Sequence, residues 1–266
     1  MRPGIRLAHI VRVVGGYQRN TGIFRKTVHG RNDDVVLVDA VVLNLEHLPQ
    51  TGDVLYLLGL GYLKLGRREQ AQQAFDRLLS TATTPAQSEF LLGKAYYESQ
   101  IFDEAASHLE AALQLDPDLP NLHLELGKTY VSLRRNEEAE KQLRAALRKA
   151  PRNPEANYFL GGLLVLLDRP APALPYLEAA QRLNPDHWGA YYYLGRARLQ
   201  EKQPAQAVAA LEAAAQRNPK EPAILYQLAR AYQASGNVAA ASRALAQFRH
   251  RKTAQLDSEI ELLREK

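Results

Sequence analysis

The chain repeats itself every 34 residues, and that period governs every other reading of it. Leu58, Leu92, Leu126, Leu160, Leu194 and Leu228 form one column of a six-row alignment. The next column reads Gly59, Gly93, Gly127, Gly161, Gly195 and Ala229, and a third is alanine throughout, from Ala71 to Ala241. A shared period of this length means one small unit stacked on copies of itself, each touching only its neighbours. One elongated domain therefore replaces the two globular domains that 266 residues would otherwise suggest.

Within a unit, positions 4, 7, 8 and 11 share one helical face by i, i+3, i+4, i+7 spacing. Leucine at position 7 supplies buried bulk. Glycine at position 8 admits a close neighbour, a gain that outweighs a helix penalty of about 1 kcal/mol. The first helix stops near position 15, where Gly66 and Gly236 suit the left-handed conformation that ends helices. A second helix follows, opened in two units by Pro170 and Pro204, with positions 20, 24, 27 and 28 as its buried stripe. Asp116-Pro117, Ala150-Pro151, Asn184-Pro185 and Asn218-Pro219 close their units, because the residue before proline is pushed out of the α region.

This pattern resembles the tetratricopeptide repeat family over residues 52–252. The resemblance implies an all-α, right-handed α-solenoid of about six helix-turn-helix units: 52–85, 86–119, 120–153, 154–187, 188–221 and 222–252. Residues 253–266, with Leu256, Ile260 and Leu263 at helical spacing on a charged background, read as a C-terminal capping helix. Residues 33–51 read as a degenerate half-repeat or N-terminal cap, with valine content that equally permits a strand. Several residues depart from the pattern. Position 4 is Glu89, His123 and Asn157 in units two to four, position 11 is Arg198 in the fifth, and Thr83 replaces the closing proline of the first. Looser packing is expected at these places.

The net charge of +5 sits unevenly. Residues 1–31 carry seven of the 34 Lys and Arg and no acid, leaving 27 bases against 29 acids in the rest. The repeat body is thus almost neutral, which removes the main support for nucleic-acid binding by it. The basic leader, 1–32, reads as a disordered arm or a misassigned start. Its arginine-rich, acid-free composition is also that of a transit peptide, while Arg12 interrupts any secretory apolar core. With no clear secretory signal, the cytoplasm is slightly favoured. The longest charge-free apolar stretch, Ala156 to Leu167, falls short of the roughly 20 residues of a membrane helix, so no transmembrane span is expected.

The resemblance places the first helices on the concave side of a superhelix, which implies a protein-binding scaffold or adaptor with no catalytic role. Two columns bear on that face. Position 5 reads Tyr56, Phe90, Leu124, Tyr158, Tyr192 and Tyr226; position 9, one turn on, reads Leu60, Lys94, Lys128, Gly162, Arg196 and Arg230. Phe159 and Tyr193 at position 6 widen the aromatic row. Rings take apolar side chains and cations take carboxylates, so the expected partner is a protein or peptide segment of acidic or aromatic character. The plainer reading of both rows is packing between repeats and solvated charge.

Enzyme chemistry has no foothold in the sequence. There is no cysteine, the seven histidines are scattered without ligand spacing, and Gly15-Gly16 and Gly161-Gly162 lack the residues of a phosphate loop. No metal and no cofactor is expected. Two other readings stay open: a scaffold docked on nucleic acid or an anionic membrane by its basic arm, and an auxiliary fragment of a larger repeat assembly, with self-association as a further option.

Overall fold

The structure, a computed structural model, describes residues 31–49, 51–81 and 84–264. The basic leader up to residue 30 and Thr83 lie outside the described residues. Thirteen α-helices follow one another with no strand among the described residues: α1 (Arg31–Glu46), α2 (Gly52–Lys64), α3 (Arg68–Thr81), α4 (Pro85–Glu98), α5 (Phe102–Leu115), α6 (Leu122–Ser132), α7 (Asn136–Lys149), α8 (Pro154–Leu166), α9 (Pro170–Leu183), α10 (Trp188–Gln200), α11 (Pro204–Arg217), α12 (Pro222–Ala234) and α13 (Val238–Arg264). The fold is of the all-α solenoid class. It divides into two compact units, the first ending at Leu133 and the second beginning at Arg134.

In both units the repeat columns are the core. The position 7 leucines are all buried, and the position 24 residues Phe75, Leu109, Leu143, Leu177 and Leu211 are wholly enclosed. The glycine column explains how the two helices of a hairpin meet. A Cβ on Gly59 would lie 2.1 Å from the Phe75 ring, and on Gly93, Gly161 and Gly195 it would lie 2.5, 2.6 and 2.5 Å from Leu109, Leu177 and Leu211. The missing side chain is therefore the seat of the second helix's largest core residue.

The turn between the two helices has the same backbone in every unit. Position 15 takes positive φ at Gly66 (72°) and Gly236 (82°), as its composition suggests, and equally at Gln100, Arg134, Asp168 and Lys202 (56–64°). In five of these turns the next residue's N–H reaches back to the position 11 carbonyl, as Ile101 does to Tyr96 and Gln203 to Arg198, closing the helix end with a Schellman pattern.

Of the stretch 33–51, the residues up to Glu46 settle as helix. Val38, Val41, Val42 and Leu45 fall at i, i+3, i+4, i+7 and enter one core with Leu55, Leu58 and Phe75, a pattern no strand can satisfy. Gly61 lets Val42 approach, since a Cβ there would meet it at 2.4 Å. At the other end, the stretch from Thr253 runs on from the second helix of the sixth hairpin without a break, inside the 27-residue α13. Elsewhere Asp116, Ala150, Asn184 and Asn218 leave the α region ahead of proline. Lys252-Thr253 occupies that place here and nothing stops the helix.

The departures from the repeat pattern are put to use. The Glu89 carboxylate accepts from His108 Nδ1, 2.7 Å away, in the tautomer that carries its proton there. Asn157, almost fully buried, donates Nδ2 to the carbonyls of Pro151 (3.1 Å) and Asn153 (2.8 Å), tying the inter-repeat turn to the helix it starts. Position 11 forms a latch to the preceding second helix: the Tyr62 hydroxyl donates to Glu46, Tyr130 to Glu110 at 2.7 Å and Tyr232 to Glu212 at 2.5 Å. Arg198 keeps the latch with a different donor, its Nη2 lying 2.6 Å from Glu178. Where position 11 is the buried Leu164, the acid's place is taken by Arg144, which turns to Glu140 instead. The expected loosening is thus absent at Asn157 and Arg198, because each polar side chain finds a partner that its position supplies.

Candidate functional site

The eleven residues singled out from the first helices are placed very differently by the two units. In the first unit, Tyr56 of α2 is half-buried against the core, and Phe90 and Lys94 lie half-buried on α4. Lys128 of α6 is buried, its ammonium 2.9 Å from Glu125 and 5.1 Å from the centre of the Tyr97 ring. Its charge is answered from three residues earlier on the same helix. These four residues stand on three helices.

In the second unit five of the residues converge. Tyr158 and Phe159 of α8 meet edge to face at 5.1 Å; Tyr158 lies 5.8 Å from Tyr193 of α10, and Tyr193 lies 5.3 Å from Tyr192. Tilted and edge-on geometries at these separations are the favourable ones for aromatic pairs. Arg196, one turn further along α10, rests its guanidinium 5.8 Å from the Tyr192 ring and 5.5 Å from that of Tyr193. It makes no ion pair among the described residues. Two glycines make room for the cluster. Gly162 stands in the basic column, and a Cβ there would lie 3.2 Å from Tyr193; on Gly189 it would lie 2.9 Å from Tyr158. The absent base at position 9 of this repeat is thus the space into which the next repeat's tyrosine leans.

Two residues of the cluster escape the column reading. His187 lies edge-on to Tyr158 at 4.3 Å, and Trp188 is 6.1 Å from Tyr192. Both sit at the junction between repeats, where the face columns have no position. The run from His187 to Tyr193, with five aromatic or imidazole rings in seven residues, is the signal that marks them. Burial lowers the His187 pKa, with Glu155 opposing, and its Nδ1 is enclosed without a hydrogen-bond partner among the described residues. Burial likewise raises the pKa of the Tyr193 phenol.

Tyr226 and Arg230 of α12 stand apart from the cluster. Tyr226 is 45% exposed with its ring 5.5 Å from Phe248, and Arg230, also exposed, donates to Gln227 Oε1 at 3.1 Å. The α8–α10 cluster therefore offers a surface of tyrosine, phenylalanine and tryptophan rings carrying Arg196, which no acid among the described residues neutralises. Such a surface favours an apolar or aromatic side chain next to a carboxylate.

Two family models described as tetratricopeptide repeat match the chain, one over residues 96–163 and 198–257 and the other over 56–120 and 167–222. Between them they span about three quarters of its length. Comparison with curated protein sequences returns no match. Among solved structures, MamA from Desulfovibrio magneticus RS-1 superposes with a TM-score of 0.58 at 20% identity, over 64% of this chain and 97% of that one. YrrB, described as a TPR protein with an unusual peptide-binding site, gives 0.57 at 24% identity, over 68% and 93%. These likenesses bear on the fold.

Proposed function

The chain belongs to the tetratricopeptide repeat family, and from that premise we propose that it is a non-catalytic scaffold holding a segment of a partner protein against its first helices. The observation that carries this reading is Arg196, laid across two tyrosine rings with no carboxylate partner among the described residues. A guanidinium held in this way offers its N–H groups to a visiting acid, and the neighbouring rings take the adjoining side chain. The preferred segment is acidic and aromatic. YrrB's description as peptide-binding lends support by analogy of fold alone.

Calorimetric titration of the whole chain with capped acidic-aromatic and neutral-aromatic peptides tests the reading. Arg196→Gln is expected to weaken the acidic peptide about tenfold, the scale of one charge-assisted hydrogen bond, and to leave the neutral one unchanged. A triple Ala variant at Lys94, Arg196 and Arg230 extends the test; Lys128 is spared because its loss would strand buried Glu125. Equal affinity of both peptides for wild type and variants overturns the electrostatic part of the proposal.

A further inference from the structure

A cavity of about 670 Å³ opens in the second unit between α9 and α11, over a different face of α10 from the one that carries Tyr192 and Arg196. Its apolar lining includes Tyr191 and Leu194 of α10 and Ala210 of α11; its charged lining is Glu178 and Arg182 of α9 and Arg198 of α10. A volume of this size falls among those of ligand-binding clefts.

The preceding repeat shows what can fill such a space, since position 23 is tyrosine there and alanine at Ala74, Ala210 and Ala244. One unit earlier, the place of Ala210 is held by Tyr176, whose hydroxyl accepts from Arg144 Nη1 at 3.1 Å with the guanidinium 6.0 Å from its ring centre. There the chain fills its own groove with a phenol. At α9–α11 the ring is reduced to a methyl group and the space stays open. Its charge is unbalanced as well. Glu178 neutralises Arg198, whereas Arg182 only reaches the Glu178 carbonyl, at 3.4 Å, and has no carboxylate partner among the described residues.

We infer that this cleft is a docking site for a tyrosine side chain of a partner protein, with an acidic residue beside it. The ring takes the place of the absent Tyr176 equivalent over Tyr191 and Leu194, and Arg182 receives the acid. The site is independent of the first-helix surface and stands or falls separately from it.

The test uses the whole chain and a capped pentapeptide with a central tyrosine between pairs of glutamates, against its alanine-centred counterpart. Binding is followed on the Leu194 methyl resonances. The tyrosine peptide is expected to shift them saturably, and the alanine peptide to bind at least tenfold more weakly. Ala210→Tyr, which repeats the arrangement at Tyr176, should lower the affinity tenfold or more, and Arg182→Gln should lower it severalfold and flatten its salt dependence. Arg196→Gln should change nothing, which separates this site from the other. Should Ala210→Tyr lower the melting temperature, Ala213→Leu fills the same cleft and is judged by the same criterion. Equal response to the two peptides, or undiminished binding by a filled cleft, overturns the inference.

Discussion

Position 15 shows how far a single backbone angle can be forced by its surroundings. Gly66 and Gly236 announce it, but Gln100, Arg134, Asp168 and Lys202 adopt it too, at a cost of about 1 kcal/mol for an L side chain. Their residue types carry no such signal; the Schellman bonds and the packed hairpin on either side impose it. Lys202→Gly is therefore expected to stabilise the protein by about 0.5–1 kcal/mol, read as a higher urea midpoint at unchanged slope. The latch tyrosines give a second residue-scale prediction. The hydrogen bond to Glu212, then burial, pushes the Tyr232 phenol up to about 12 from an ordinary 10; burial, then the bond to Glu46, does the same for Tyr62. A raised folded pKa gives stability that is complete below pH 10 and is lost as pH rises through about 12. Tyr62→Phe and Tyr232→Phe should each flatten that alkaline decline, measured by thermal melts from pH 9 to 12.

At the scale of the helix, period and punctuation decided most of what was legible. The 34-residue columns gave twelve helices their faces, and prolines gave several their starts and stops. The extent of α13 follows from punctuation that is absent: Lys252-Thr253 stands where Asn-Pro or Asp-Pro ends other second helices. Thr253→Pro, restoring that signal, should end the helix near Lys252 and reduce the helical circular dichroism by about the share of the lost turns. The α8–α10 cluster was half legible. Tyr158, Phe159, Tyr192, Tyr193 and Arg196 follow from the face columns, whereas His187 and Trp188 lie between units, and Lys128 was claimed by Glu125 in a way that a column of bases cannot reveal. His187, whose pKa burial lowers against the opposing charge of Glu155, contributes stability above its ordinary 6.5 that is lost as pH falls below it. The near-ultraviolet signal of the aromatic cluster should accordingly weaken on acidification from pH 7 to 5, and His187→Phe should remove that dependence.

For the whole molecule, stability is a sum of local cores rather than the property of one centre. Leu126, wholly buried on α6, should cost about 2–5 kcal/mol when cut to alanine, with hydrogen exchange rising first in α6 and its neighbour α5 rather than uniformly. A change near zero would mean the leucine column had been assigned to the wrong face. The latches add an asymmetry. A phenol surrenders its proton in strong base, but a guanidinium keeps it. The contacts of Tyr62, Tyr130 and Tyr232 join α1 to α2, α5 to α6 and α11 to α12, while that of Arg198 joins α9 to α10. In alkali the three phenol-latched seams should consequently loosen first, while the α9–α10 seam keeps its contact.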